Sequence, residues 1–185
     1  SSNTGNVSGA TYVGGVVGYM GYDMANCYNT GSVTATATDG YAGGIAGSMP
    51  GNAASCYNAG SVSAAKAAAI VPSDNYCTNC FFDPVASTPS GTTTLSGTLN
   101  GSGGSDDAPG EVEAVSADVL KSWGAAYQLN GGAAGGAQTG NIAGMSTWTW
   151  TTGNYPTLIA RNAAGAATAT MSKPADWSDV GVWVD

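Results

Sequence analysis

The sequence predicts an all-β fold, a right-handed parallel β-solenoid with one short capping helix near residues 116–129. The first observation is that YVGGVVGYM, which begins at Tyr12, returns as YAGGIAGSM at Tyr41, 29 residues later. The second is that the block around Cys27 returns around Cys56, again after 29 residues. Repeats of about 20–50 residues indicate stacked coils, so we expect Tyr12 over Tyr41 and Cys27 over Cys56 in parallel neighbouring strands.

A third repeat is present in a weaker form. Cys80 follows Cys56 by 24 residues, and Asn-Cys-Phe stands there in place of Asn-Cys-Tyr. Residues 68–72 take the place of the glycine-rich strand, with alanine and proline where glycine stood. Glycine inside a strand indicates that another backbone passes close by. Because those glycines are lost, we expect the coil at 68–72 to be irregular.

Short strands and turns separate the repeated motifs. Residues 31–38 alternate polar and small apolar side chains, which is typical of a strand with one buried face. Val33 follows Val7 by 26 residues and precedes Val62 by 29. The three extra residues fall near the turn dipeptide Asp39-Gly40. Since an insertion confined to one corner leaves the coil in register, we expect a solvent-facing loop there.

These motifs carry a family resemblance. The segments GGVVG and GGIAG, each followed by CYN-x-GSV, resemble the GLUG-motif repeats of bacterial cell-surface proteins. Such repeats are abundant in Gram-positive adhesin-like proteins and in noncatalytic parts of IgA-specific metallopeptidases. The resemblance covers roughly residues 3–82 by repeat, and residues 114–160 resemble the usual ending of these proteins. It implies a β-solenoid on the outside of the cell, without a shared catalytic residue.

We divide the chain into four segments: GLUG-like repeats at 1–82, a Gly/Pro-rich excursion at 83–113, a helix with closing strands at 114–160, and final strands or the start of a following domain at 161–185. Ser116 is a suitable N-cap for the helix, and Asn130-Gly131 is expected to end it. We expect Leu120 and Trp123 to be buried. The helix should cover an open end or side of the solenoid.

Composition and charge exclude several classes of function. Charged residues make up 9% of the chain, the net charge is −8 and there are four Lys and Arg residues, which excludes a nucleic-acid partner. No apolar run reaches the roughly 18 residues of a membrane span. The chain has no histidine, so Ser-His and Cys-His nucleophile pairs are impossible. The one close carboxylate pair outside turns, Glu111 and Glu113, lies in the Gly-rich excursion. We expect no cofactor, no metal and no catalytic residue.

The beginning of the chain indicates its context. Residues 3–7 (NTGNV) match the second half of the CYNTGSV block, without the Cys-Tyr half. We therefore expect a piece of a longer parent chain, whose export signal and anchor lie outside it. Four cysteines in a chain of low charge favour an extracellular or cell-surface location.

The cysteines allow three interpretations. Cys27, Cys56 and Cys80 share one repeat position, so they are expected to point inward as a column. They form either a ladder of small buried thiols or, together with Cys77, contain one disulfide. A zinc site has the Cys77-x-x-Cys80 half but no second close pair, and it is the least favoured.

Aromatic and acidic side chains provide further candidate sites. Trp148, Trp150 and Tyr155 form a candidate platform for glycan binding, although filling the core beneath the helix is the favoured role. The turn residues Asp23, Asp39, Asp74 and Asp83 are candidates for calcium, with turn formation as the default interpretation.

The function that we expect is a noncatalytic structural or adhesive module of a secreted or surface-displayed bacterial protein. The alternative is a module that binds glycan or a host surface protein through the C-terminal aromatic residues. A polysaccharide-active β-helix enzyme is a minor alternative. An ice-binding surface is also minor, because a threonine ladder such as Thr34, Thr36 and Thr38 occurs in one coil alone.

Overall fold

The structure, a computed structural model, describes residues 1–72, 77–87, 112–130 and 147–159. The regular elements of these residues are mostly β-strands, with few helices, which confirms the all-β prediction. The chain divides into two compact units, Ser1–Ala117 and Asp118–Asp185. Within the described ranges, none of the helices has the length and apolar character needed to cross a membrane.

The strands of the first unit are short and recur in the same order in each repeat. The first repeat contains β1 (Ser2–Asn3), β2 (Val7–Gly9), β3 (Tyr12–Gly14), β4 (Val17–Tyr19) and β5 (Met24–Ala25). The second contains β6 (Tyr28–Asn29), β7 (Val33–Ala35), β8 (Tyr41–Gly43), β9 (Ala46–Ser48) and β10 (Ala53–Ala54). The third contains β11 (Tyr57–Asn58), β12 (Val62–Ser63), β13 (Lys66–Ala68) and β14 (Cys77–Thr78). They are followed by β15 (Cys80–Phe82), α1 (Pro84–Ser87) and β16 (Val112–Ala114).

Equivalent strands of successive repeats pair in parallel, with equivalent residues in register. Tyr12 pairs with Tyr41, and Val33 pairs with Val62. The largest sheet has the order β1-β6-β11-β15-β16, and the remaining sheets of this unit also join one repeat to the next. The predicted stacking is therefore confirmed residue by residue.

Side chains that point inward form buried columns between the repeats. Val33 and Val62 are fully buried, as is Ile45, whose carbonyl accepts a hydrogen bond from Val16 N at 3.0 Å. The insertion after β7 leaves Thr36 and Asp39 exposed, which confirms the predicted solvent-facing loop. Burial of stacked apolar side chains is what stabilises a repeat fold whose coils contact mainly their neighbours.

The third repeat keeps its pairing despite the loss of glycine. β13 pairs with β8 in parallel register, so that Lys66 lies beside Tyr41 and Ala68 beside Gly43. Ile70 is fully buried, and its carbonyl accepts from Ile45 N at 3.0 Å. The irregularity expected at 68–72 therefore does not break the contact with the second repeat.

The second unit contains α2 (Ala117–Leu120), α3 (Trp123–Leu129), β17 (Trp148–Thr149) and β18 (Thr157–Leu158). The prediction of one helix over 116–129 is wrong in this respect, because the segment forms two helices. Ser122 separates them: its backbone is extended (φ −95°, ψ 161°) and its side chain accepts a hydrogen bond from Ala125 N at 3.3 Å. Such an N-cap begins a new helix. The helix ends at Asn130 as predicted, and Leu120 and Trp123 are buried.

Several predictions fall on residues outside the described ranges. They include most of the 83–113 excursion with Glu111, the turn residue Asp74, and the final segment 161–185. Those predictions remain as stated.

Candidate functional site

A column of asparagine side chains runs through the repeats. We call Asn3, Asn29 and Asn58 the asparagine ladder. The Nδ2 of Asn3 donates to the Oδ1 of Asn29 at 2.8 Å, and the Nδ2 of Asn29 donates to the Oδ1 of Asn58 at 2.9 Å. Asn29 and Asn58 are fully buried. Their polar atoms are satisfied inside the fold, as buried polar groups require.

Each rung of the ladder also closes a turn in its own repeat. Asn29 Nδ2 donates to the carbonyl of Gly31 at 2.7 Å, and Gly31 N donates to Asn29 Oδ1 at 3.2 Å. Asn58 makes the same two bonds with Gly60. One carboxamide therefore both shapes a corner and joins two coils, which explains the recurring Asn-x-Gly in the sequence.

Two glycines make room for the ladder. A Cβ on Gly15 would lie 2.5 Å from Asn29 Cγ, and a Cβ on Gly44 would lie 2.5 Å from Asn58 Nδ2. No real side chain tolerates such a contact, so any residue with a Cβ would displace the carboxamide. Each of these glycines also lies against the backbone of the next coil, since a Cβ would stand 2.3 Å from Gly44 O at Gly15 and 2.1 Å from Ala69 O at Gly44. The ladder and the close approach of the coils together require glycine here.

The ladder ends at α1. Asn58 Nδ2 donates to the Oγ of Ser87 at 3.0 Å, and Ser87 is fully buried. Asp83 holds the beginning of this helix, because its Oδ1 accepts from Val85 N at 2.9 Å and from Ala86 N at 3.2 Å. Ser87 thus supplies the last acceptor, and the polar column is closed on the side of the third repeat.

The four cysteines are buried, and all are free thiols in the structure. Cys27 and Cys56 directly precede β6 and β11, and Cys80 begins β15, so the three cysteines stand beside successive strands of the largest sheet. Each Sγ points to the carbonyl two residues earlier, for example from Cys56 to Ala54 O at 3.2 Å. This arrangement is the buried-thiol interpretation, and the disulfide among Cys27, Cys56, Cys77 and Cys80 stays a prediction.

The thiols affect one another's titration. Burial raises the pKa of Cys80, and hydrogen bonds with Cys56 and Cys77 raise it further. The hydrogen bond with Cys56, together with burial, raises the pKa of Cys27. The middle thiol differs, since hydrogen bonds from Cys27 and Cys80 lower the pKa of Cys56. Cys56 is therefore the sulfur best placed to carry a negative charge in this column.

A left-handed residue precedes each cysteine of the column. Asn26, Ser55 and Asn79 have φ values of 55°, 50° and 49°. Asparagine tolerates this backbone region better than most residues with a side chain. This left-handed corner was not predicted from the sequence, although asparagine at two of the three positions before cysteine was a signal for it.

Exposed aromatic side chains lie on the repeats. Tyr12 is 49% exposed and stacks on Tyr41 with ring centroids 5.4 Å apart. The ammonium of Lys66 lies 4.3 Å from the Tyr41 ring centroid and donates to its hydroxyl at 2.5 Å. Tyr19 and Tyr22 are 64% and 81% exposed. Of the large hydrophobic side chains that are exposed in the described part of the chain, three are tyrosines of the first repeat.

The predicted aromatic platform in the second unit is largely covered. Trp148 is fully buried, and its backbone exchanges hydrogen bonds of 3.0 Å with the Asn130 side chain, so the prediction that it presents a binding face is wrong. Trp150 is half-buried and donates from Nε1 to Lys121 O at 2.6 Å. The Tyr155 ring has the Lys121 ammonium 4.8 Å from its centroid. Trp150 packs beside Trp123, as in the favoured core interpretation.

Two carboxylates of the described residues, Asp23 and Asp83, accept hydrogen bonds from backbone amides. Asp23 Oδ1 accepts from Asn52 N of the next repeat at 2.7 Å, so it joins two coils, and Asp83 caps α1. Among the residues that the structure describes, no three His, Cys, Asp or Glu side chains gather as a metal site would require. Glu113 is half-buried in β16, where it pairs with Phe81.

One protein-family model, described as the GLUG motif, matches residues 9–34. The matched segment runs from the end of β2 into β7, and so includes the glycine-rich strands, Cys27 and Asn29 of the ladder. No curated protein and no solved structure matches the chain. The chain therefore contains a GLUG motif. The equivalent residues of the second repeat pair in register with those of the motif, for example Tyr41 with Tyr12.

Proposed function

We propose that this chain is a noncatalytic structural module, a right-handed parallel β-solenoid in a secreted or surface-displayed bacterial protein. The observation that carries the proposal is the asparagine ladder, in which Asn3, Asn29 and Asn58 hydrogen-bond in sequence through three repeats. A ladder of this kind links neighbouring coils through their buried side chains. Its role is to hold coils in register.

The surface location is supported by composition and by the GLUG motif at residues 9–34. The chain is rich in Gly, Ala, Ser and Thr and is 9% charged, as in our expectation for a stalk or adhesin segment. The segment near residues 116–129, with buried Leu120 and Trp123, was expected to cap the solenoid, and this role stays a prediction. A bare solenoid end would present unpaired strand edges, which favour aggregation.

Two measurements test this proposal. A crystal structure gives the handedness and shows whether successive repeats close into coils. Antibodies against the chain should label intact cells of the source organism, and external protease should remove the signal. Label that appears only after the cells are opened would contradict the surface location.

A second candidate function is glycan binding, and the exposed tyrosines favour it. Tyr12, Tyr19 and Tyr22 present ring surface and hydroxyl groups to solvent, whereas Trp148 in the second unit does not. Aromatic side chains with a polar tip are common at binding surfaces. Trp150 and Tyr155 remain candidates as half-buried side chains.

A glycan array compares the two aromatic groups. If the tyrosines bind, Tyr12→Ala and Tyr22→Ala should lose the signal and Trp150→Ala should keep it. Loss in Trp150→Ala alone would assign binding to the second unit. Absence of any signal for the parent protein would leave the structural role as the proposed function.

A further inference from the structure

The first repeat presents an open surface on the side away from the second repeat. β1, β2, β3, β4 and β5 each stand at the end of their sheets. Edge strands in soluble proteins are usually protected by charge, proline or a covering element. Residues 1–25 contain Asp23 as their single charged residue and no proline. This edge therefore lacks the sequence features that block strand addition.

The asparagine ladder is incomplete at the same edge. Asn29 Oδ1 accepts two hydrogen bonds, from Gly31 N and from Asn3 Nδ2, and Asn58 Oδ1 likewise accepts two. Within the described residues, Asn3 Oδ1 accepts from Gly5 N alone. The second lone pair of Asn3 Oδ1 is the one that, in Asn29 and Asn58, accepts from the side-chain Nδ2 of the preceding asparagine.

The apolar and aromatic columns are open there as well. Val7 is half-buried, whereas its equivalents Val33 and Val62 are fully buried. Tyr12 has Tyr41 on one face and is 49% exposed. The columns of Asn3, Val7 and Tyr12 thus each end on this edge with a member that has a neighbour on one side.

We infer that this edge is a docking surface for a further GLUG-type repeat, whose asparagine amide donates to Asn3 Oδ1 and whose strands pair with β1 to β5 in parallel. The inference rests on the proposed solenoid and extends it to a partner. The docking would continue an interface that is already present twice in the chain. The outer side of the first repeat presents Asn3 Oδ1, as the second repeat presents Asn29 Oδ1 to the first. The partner is recognised by a polar rung, an aromatic ring over Tyr12 and an apolar side chain over Val7.

The other end of the ladder does not offer such a rung. Ser87 closes the ladder there, and Phe82 and Ala114 continue the strand position of Asn58 in β15 and β16. A second copy of this chain, docked end to end, would therefore bring no carboxamide to Asn3. For this reason the occupant is a coil with an asparagine rung, and self-assembly of the chain is the competing outcome.

The test adds one repeat to the full chain. Ser2 is in register with Tyr28, so Ser1 occupies the position of Cys27 and Cys56. A copy of residues 27–55 placed directly before Ser1 supplies a coil with its own asparagine rung. The matched control is the same extension with Asn29→Ala in the copy.

The readout is amide hydrogen exchange at the edge. In the repeats, Thr30 N donates to Asn3 O at 3.0 Å and Tyr41 N donates to Thr11 O at 2.6 Å. The equivalent amides are those of Thr4 and Tyr12. Docking should slow their exchange by about tenfold or more in the extended protein and by less in the protein extended with the Asn29→Ala copy.

The outcomes separate the inference from the proposed solenoid. Unchanged exchange at Thr4 and Tyr12, with Thr30 and Tyr41 protected, would overturn the docking surface and leave the solenoid intact. Fast exchange at Thr30 and Tyr41 in the unextended protein would overturn both. If the unextended protein doubles its mass on concentration and protects Thr4 and Tyr12, the occupant is a second copy. The inference that a further GLUG-type repeat docks here would then be wrong.

Discussion

Gly44 lies directly against the carboxamide of Asn58, so that a Cβ on the glycine would stand 2.5 Å from Nδ2 of the asparagine. Gly15 has the same relation to Asn29. In the third repeat the strand partner of Asn58 is Phe82, and the position of Gly44 is taken by Ala69. The glycine and the asparagine therefore occur together in the first two cases and are both replaced in the third repeat, where β13 is also the last strand of its sheet.

Gly44→Ala should destabilise the protein by about 1–3 kcal/mol, because the methyl group collides with Asn58 and with the backbone of Ala69. Gly21→Ala is the matched control, since a Cβ there has nothing within 4 Å. Its effect should stay within about 0.5 kcal/mol. Chemical denaturation of both variants beside the parent measures the difference. Equal free energies of unfolding for the two variants would refute the steric role of Gly44.

Val33→Ala should cost on the order of 1–3 kcal/mol. Val33 is fully buried between Val7 and Val62, so the truncation leaves a cavity that touches two coils. Thr36 is exposed just beyond the same strand, and Thr36→Ala should cost under about 0.5 kcal/mol. Urea denaturation is the measurement. A larger loss for Thr36→Ala would mean that the hydrogen bond from Thr36 Oγ1 to Gly9 O, at 3.2 Å, matters more than the packing of Val33.

Asn58→Asp should destabilise the protein at neutral pH by about 3–5 kcal/mol, as an uncompensated buried charge does. The substitution removes the donor to Gly60 O and Ser87 Oγ and places a carboxylate in a fully buried site. Burial should raise the pKa of this carboxyl in the folded state, so the loss is small below the ordinary carboxyl range and grows as pH rises. Asn6→Asp is the control, because that side chain is exposed and accepts from Ser32 N. A pH-independent loss would argue against a buried charge.

The stability conferred by Cys80 should fall at alkaline pH. Its pKa is raised in the folded state from an ordinary value of 9.0, chiefly by burial. The unfolded chain then loses the thiol proton first, so this contribution is complete below the unfolded pKa and is lost as pH rises above it. Under reducing conditions, the difference in unfolding free energy between the parent and Cys80→Ala should shrink from about pH 8 to about pH 10. A constant difference would contradict the prediction.

The repeat spacing predicted much of the fold, because parallel stacking brings equivalent residues together whatever the local propensities are. The pairs Tyr12 with Tyr41 and Val33 with Val62 followed from a 29-residue period alone. The fully buried column of Val33 and Val62 followed as well. Such contacts depend on register, which a period fixes directly.

Features set by single side chains were not predicted. Ser122 divides the expected helix because its hydroxyl caps α3, and a capping serine inside an apolar stripe resembles an ordinary helix residue. Ser87 ends the asparagine ladder and lies 29 residues after Asn58. This spacing is visible in the sequence, but Ser87 lies in a helix and not in a strand. Trp148 was expected to share a face with Trp150, whereas it is buried where its backbone meets Asn130.

The turn bonds of the ladder fix the sense of each carboxamide before it meets a neighbour. Gly31 N donates to Asn29 Oδ1, and Asn29 Nδ2 donates to Gly31 O. If the Asn29 carboxamide were turned over, its NH2 group would face the Gly31 N–H and its oxygen would face the Gly31 carbonyl. The same rotation would oppose like atoms on both neighbouring rungs. The amide dipoles therefore all run one way, from Asn3 toward Ser87. The chain therefore carries a polarity along its stack that the backbone turns of its repeats determine.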